Sequence, residues 1–188
     1  MKIASNLGGR LTWRVAAGVV SASLFGVSAY AAVSQIIGVG TMEHSPLVGG
    51  PATVTMRTLT IAPGEVLSWH YHPGAGAFTV VTSGTLNIED GCGGDTVYTA
   101  GQAFLEPPLR VHRGKNLTAS PVVTAQTFIV PTGMPTTVNT AQLCGPPREV
   151  DECRDGDWGA FNHPHSFASQ GDCVAYVITG KLREHGLD

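Results

Sequence analysis

The sequence lacks the motifs that identify the common catalytic classes. It contains no recognisable Ser-His-Asp arrangement, no glycine-rich phosphate loop and no paired-carboxylate motif. Catalysis by a serine triad, nucleotide chemistry and two-carboxylate acid–base chemistry therefore have no support from the sequence.

A long helical period is also missing between residues 38 and 131. Short β-favouring runs recur there instead, separated by turns that contain glycine or proline. These runs are "ATVTMRTLTIA", "GAFTVVTSG", "TLNIED", "DTVYTAG", "AFLEPP" and "PVVTAQTFIV". Many short strands at close spacing predict an all-β fold, an antiparallel sandwich or barrel.

No Cys-x-x-Cys pair occurs among the four cysteines, Cys92, Cys144, Cys153 and Cys173. This spacing argues against a structural zinc site and against a thioredoxin-like site. An even number of cysteines in an oxidising compartment favours two disulfide bonds. The sequence alone leaves all three pairings open.

The N-terminus has the layout of a secretory signal peptide. Three basic residues precede or flank an apolar run over residues 15–27, and the small residues "AYA" end at Ala31. We therefore predict a signal peptide over residues 1–31, with an uncleaved membrane anchor as the alternative. Either interpretation places the rest of the chain outside the cytoplasm, secreted or periplasmic.

The remaining 157 residues are enough for one domain with its own core. They hold eight lysines and arginines against 14 acidic residues, a net charge of −6. This balance argues against a nucleic-acid partner, because phosphate binding needs clustered cations. We expect no membrane association beyond export.

Three histidines are candidate metal ligands. In a strand formed by "EVLSWHYH", His70 and His72 would point to the same face, because side chains alternate along a strand. His112 follows the strand-like "AFLEPP" and its turn. Imidazole binds manganese, iron, cobalt, nickel, copper and zinc, so the histidines alone do not select the metal.

The spacing around the first two histidines resembles the first motif of the cupins, small β-barrels with a metal site inside. That motif is Gly, five residues, His-x-His, three or four residues, Glu, six residues, Gly. Gly64, His70, His72 and Gly84 lie at those spacings, but the glutamate position falls on Ala77.

The second cupin motif is matched as well. Gly101, Pro107, His112 and Asn116 are in register, with Leu109 in place of the middle glycine. The resemblance implies a cupin-type, jelly-roll-like antiparallel β-barrel over residues 32–131. A loop-rich, disulfide-tied tail over residues 132–188 would follow it.

The resemblance implies a divalent metal held by His70, His72 and His112, with open positions for water or substrate. A polar pocket without metal and an accidental match are the alternatives. Glu106 could replace the missing glutamate, but its position before a proline at a strand end favours a carboxylate at the pocket rim or in solvent.

Two functions follow from the resemblance. The first is oxidation of a small organic substrate by a dioxygenase-like oxidoreductase, and the second is binding of a small molecule or sugar without metal or turnover. Fold alone does not decide between them, so whether the protein is an enzyme stays open. The expected partner is a small-molecule ligand, and a homodimer is compatible with this architecture.

The stretch "DGDWGAFNHPHSFASQGDCVAYV" resembles a short tail motif of secreted bacterial proteins. This resemblance implies a Cys153–Cys173 bridge, which leaves Cys92 to pair with Cys144. The stretch also holds a second His-x-His, formed by His163 and His165. The proline between them favours a loop, which argues against a second metal site.

Overall fold

Ten β-strands form two sheets in the computed structural model, which describes residues 32–179. The predicted signal peptide over residues 1–31 lies outside the described residues. The strands are β1 (Val33–Ser45), β2 (Gly50–Ile61), β3 (His70–Tyr71), β4 (Ala77–Ser83), β5 (Thr85–Asp90), β6 (Asp95–Thr99), β7 (Ala103–Glu106), β8 (His112–Lys115), β9 (Val122–Pro131) and β10 (Val138–Asn139).

Both sheets are five-stranded, and every strand pair is antiparallel. The strand orders are β1-β2-β9-β4-β7 and β10-β3-β8-β5-β6. This is the predicted all-β, cupin-type barrel, and each of the six β-favouring runs forms a strand.

Alternation along β9 shows why these runs form strands. Buried and partly buried residues alternate over its whole length, so one face points into the barrel. The first inward residue, Val122, belongs to a core that also contains Leu59, Ile61, Val81 and Leu86. Burial of such side chains stabilises the fold by roughly 1.5–3 kcal/mol each.

Two strands differ from the sequence-based expectation. β1 is not among the predicted strands. Twelve of its 13 residues are exposed, so its sequence shows no alternation of apolar and polar residues that would indicate a strand. The predicted strand "EVLSWHYH" shortens to His70–Tyr71, flanked by isolated bridges at Val66 and His72.

The tail is more ordered than a set of loops. It contains two 3₁₀ turns, Val150–Cys153 and Asp157–Ala160, and an α-helix, α1 (Gln170–Thr179). Both disulfides have the expected pairing, Cys92–Cys144 and Cys153–Cys173. A second core of described residues forms around the latter bridge, and it contains Cys144, Cys153, Phe161, Phe167 and Cys173.

The start of the tail packs tightly on the barrel. A Cβ atom at Gly91 would lie 1.7 Å from the carbonyl oxygen of Leu143, so only glycine fits there. Arg110 donates to the carbonyl of Pro146 at 2.8 Å and pairs with Asp90 and Glu152 at 3.0 and 3.1 Å. The tail is therefore attached to the barrel next to the second motif.

Between residues 32 and 179, no helix has the length and apolar character needed to cross a membrane.

The Cys153–Cys173 bridge closes a loop of 20 residues around the small second core. Replacing both cysteines by serine is expected to lower the free energy of unfolding by about 3 kcal/mol, measured by denaturant titration. Peptide mapping of the unreduced protein checks the connectivity. A linked peptide joining Cys92 to Cys153 or Cys173, or four free thiols, would contradict it.

Candidate metal centre

Four side chains converge inside the barrel: His70, His72, Glu106 and His112. All four are buried, and one possible ligand atom from each lies within 4.8 Å of the others. The three imidazole centroids are separated by 5.0, 4.6 and 5.1 Å. The structure therefore brings the three predicted histidines together, and their role as metal ligands stays a prediction.

Strand pairing places the histidines. His70 on β3 is the direct cross-strand partner of His112 on β8, so both side chains point to the same side of the sheet. His72 lies two residues after His70 and shares that side, as the alternation predicted. Tyr71 points the other way and contacts the ring of His163 in the tail.

Glu106 contradicts the expectation of a rim or solvent-facing carboxylate, because its side chain is only 4% exposed. It is the antiparallel partner of Ala77, the position where the cupin motif carries its glutamate. Paired residues of neighbouring strands point to the same face. The carboxylate therefore enters the site from β7 instead of β4.

The sequence held one signal for this position. Glu106 lies two residues after Phe104, which packs against the barrel core, so strand alternation places both on the inner face. The proline after Glu106 favours the end of a strand but does not turn its side chain outward.

Each histidine is oriented by a backbone carbonyl. All three Nδ1 atoms lie within hydrogen-bonding distance of such an oxygen: His70 with Ser68 at 2.7 Å, His72 with Thr136 at 2.8 Å and His112 with Arg110 at 2.8 Å. A carbonyl only accepts, so the proton of each neutral ring lies on Nδ1. The Nε2 lone pairs are then left for the centre of the cluster, as in metal-bound histidines.

The count of protons favours a cation in the cluster. Nε2 of His72 and of His112 lie 3.0 and 2.8 Å from the same atom, Glu106 Oε2. With neutral rings, lone pairs would face each other across these distances. With one protonated ring, the lone pair of the other ring would still face the carboxylate. With two protonated rings, two buried cations would face one carboxylate, leaving a charge uncompensated. A divalent cation removes both difficulties, so the donor set fits a metal.

In the absence of a bound cation, the pKa directions favour a neutral His70, an ionised Glu106 and a proton on His112. Burial, followed by the proximity of His112 and His72, lowers the pKa of His70 to about 3, which keeps this ring neutral. Burial acts to raise the pKa of Glu106, but the hydrogen bonds from His112 and His72 hold it well below its ordinary value. Burial opposes the rise in the pKa of His112, and its hydrogen bond to Glu106 brings that rise about.

The second oxygen of Glu106 is held by side chains of its own sheet, on β4 and β9. Oε1 accepts a short hydrogen bond from the Thr79 hydroxyl and another from Gln126 Nε2 at 3.0 Å. This arrangement turns Oε2 toward the histidines. A cavity of about 220 Å³ adjoins the cluster on the side of His70 and Glu106.

The second His-x-His does not join this centre. In the described part of the chain, the cluster above is the one group of histidine and carboxylate side chains suited to a metal. His163 instead contacts Tyr71, and His165 packs against Phe167 and Tyr176.

Comparisons with known proteins are in keeping with the fold. No curated protein matches the sequence. Residues 57–134 match the family described as "Cupin domain". This match and the two-sheet barrel support the cupin superfamily.

Similar solved structures share little sequence with this chain. A double-stranded β-helix protein from Klebsiella pneumoniae is 19% identical, with a TM-score of 0.44, and the match covers 58% of this chain and 84% of that one. The Cupin_2 domain of an XRE family regulator from Enterobacter cloacae is 19% identical, with a TM-score of 0.38 and coverages of 54% and 97%. An oxalate decarboxylase variant from Bacillus subtilis is 20% identical, with a TM-score of 0.40. The match covers 46% of this chain and only 23% of that enzyme.

Moving the carboxylate between the two strands tests its role. Glu106→Ala is expected to lower the affinity for a divalent metal at least about 10-fold, because a charged oxygen donor is lost. The double variant Glu106→Ala with Ala77→Glu is expected to restore most of it, since the new carboxylate enters from the paired position. Competition with a chelator at neutral pH measures both affinities.

Ala77→Glu alone is the control. It adds a second carboxylate to a space that Glu106 already fills, so lower stability without tighter metal binding is expected. Unchanged metal affinity in Glu106→Ala would exclude this carboxylate from the metal site.

Proposed function

We propose that this chain is an exported, metal-dependent cupin in which His70, His72, Glu106 and His112 hold one divalent cation. The observation that carries the proposal is the convergence of two carbonyl-oriented Nε2 atoms on one carboxylate oxygen. Neutral imidazoles and a carboxylate suit iron, manganese, nickel, copper and zinc alike.

Oxidation of a small organic substrate is the proposed reaction. A redox-active divalent metal would supply Lewis acidity and one-electron chemistry with dioxygen. The residues of the chain contribute orientation: backbone carbonyls hold the imidazoles, and Thr79 and Gln126 hold Glu106. The adjoining cavity admits a small molecule next to His70.

Binding without turnover is the second candidate. Among the described residues that line the cavity, the titratable side chains are Arg57, His70 and Glu106. Two of these belong to the cluster, and an arginine does not exchange protons near neutral pH. The cavity wall therefore offers no independent general acid or base, which favours this candidate.

The compartment proposed is extracytoplasmic. The two disulfides are consistent with an oxidising environment, where such bonds form and persist. Export of the part after residue 31 agrees with the signal-peptide pattern at the N-terminus.

Elemental analysis of the protein purified from an oxidising compartment tests the metal site. The wild type is expected to hold about one metal ion per chain, and His70→Ala and His112→Ala are each expected to lose nearly all of it while retaining the β-sheet signal by circular dichroism. His165→Ala is the matched control, because it removes a histidine from the other His-x-His.

A wild-type protein that holds no metal and takes up none on titration would contradict the proposal. Equal metal loss in His165→Ala would show that the effect is not specific to the cluster. Substrate-dependent oxygen consumption by the loaded protein, absent in His112→Ala, would separate oxidation from binding without turnover.

A further inference from the structure

Arg57 is a cation without an ionic partner in the part of the chain that the structure describes. It lies on β2 opposite Gln126 of β9, and its Nε donates to Gln126 Oε1 at 2.8 Å. Its guanidinium carbon lies 4.6 Å from the centroid of the Phe128 ring. Between residues 32 and 179, no carboxylate forms an ion pair with it. A desolvated cation in this state favours an incoming anion.

The charge of the cavity also favours an anionic ligand. Among its described lining residues, Arg57 is the one cation of the arginine and lysine type, and Glu106 is the one carboxylate. With a divalent cation bound to three neutral imidazoles and Glu106, a positive charge remains at the cluster and a second lies on Arg57. Both act at short range in a site partly shielded from water.

A hydroxyl group in the same cavity also lacks a partner. Thr124 on β9 is 1% exposed, and its Oγ1 has no hydrogen-bond partner among the described residues. Thr124 lines the cavity and lies two residues from Gln126, on the same face of the strand. Buried hydroxyls are almost always hydrogen-bonded, so this one has a hydrogen bond to offer to a polar atom of a molecule bound in the cavity.

One part of the cavity wall is apolar, and Ser68, Thr137 and Asn139 add polar groups elsewhere in the lining. Five leucine and isoleucine side chains line it: Leu59, Ile61, Leu67, Leu86 and Ile88. Its volume of about 220 Å³ lies below the range of roughly 300–1,000 Å³ typical of drug-sized ligands. The ligand should therefore be small, with an anionic end and an apolar remainder.

We propose that this cavity binds a small organic monocarboxylate whose carboxylate group pairs with Arg57. The planar guanidinium suits a carboxylate in a bidentate pair, Thr124 supplies one further hydrogen bond, and the apolar chain lies against the leucines and isoleucines. The inference rests on the proposed function, because it names the substrate class for the cavity beside the metal cluster. Inorganic phosphate shares the charge but has no apolar part.

Titration of the metal-loaded protein with butyrate, followed by NMR, tests this inference. Arg57→Gln is expected to weaken butyrate binding at least about 10-fold, and neutral butyramide is expected to bind the wild type at least about 10-fold less tightly than butyrate. Thr124→Val, which keeps the shape of the side chain, is expected to weaken butyrate binding several-fold.

Arg113→Gln is the matched control, because Arg113 pairs with Glu89 and does not line the cavity. Its butyrate affinity should equal that of the wild type. Metal-loaded wild type that binds no butyrate would overturn the inference. Butyramide or phosphate bound as tightly as butyrate, or unchanged butyrate affinity in Arg57→Gln, would also overturn it.

Metal content measured on the same samples separates this inference from the proposed function. Arg57-dependent butyrate binding in a protein that takes up no metal would contradict the proposed metal centre and leave the proposed carboxylate site standing. A protein that retains its metal but shows no Arg57-dependent butyrate binding would contradict the proposed monocarboxylate site and leave the proposed metal centre standing.

Discussion

The buried carboxylate of Glu106 is the group on which the arrangement of the site depends. Its two oxygens contact different groups of side chains. Oε1 accepts hydrogen bonds from Thr79 and Gln126, whereas Oε2 faces Nε2 of His72 and of His112. A carboxylate in a barrel interior is costly unless donors or a cation surround it. The polar side chains that contact this carboxylate from both sheets therefore offset the cost of burying it.

Orientation of the imidazoles depends on backbone that the tail helps to hold. The carbonyl facing His72 belongs to Thr136, beyond the last long strand. The carbonyl facing His112 belongs to Arg110, whose side chain is held by Asp90, Glu152 and the carbonyl of Pro146. The tail thus acts on the centre through residues that touch no ligand atom of the cluster. Such supporting groups commonly tune metal affinity as strongly as some ligands do.

The convergence of the three histidines could be predicted from the sequence because two regularities suffice for it: a motif spacing, and alternation along a strand. Alternation with Phe104 indicates the inner face for Glu106, but its place beside Ala77 could not be predicted, because it comes from the pairing of β4 with β7, which a single sequence does not encode locally. β1 was missed for a related reason, since an edge strand exposed on both faces has no apolar alternation. The disulfide pairing followed from a resemblance, and cysteine spacing alone left it open. Helix α1 was hidden by a β-favouring composition, where packing around the Cys153–Cys173 bridge overrides local preference.

Gln126 links the cation of the cavity to the anion of the cluster. Its amide has two ends, and both are used: Oε1 accepts from Arg57 at 2.8 Å, and Nε2 donates to Glu106 at 3.0 Å. A metal that binds Glu106 withdraws the negative charge that otherwise stabilises the Arg57 guanidinium across this amide. The proposed anion then becomes the remaining partner of Arg57, so metal loading should raise anion affinity. By thermodynamic linkage, a bound anion must tighten the metal by the same factor.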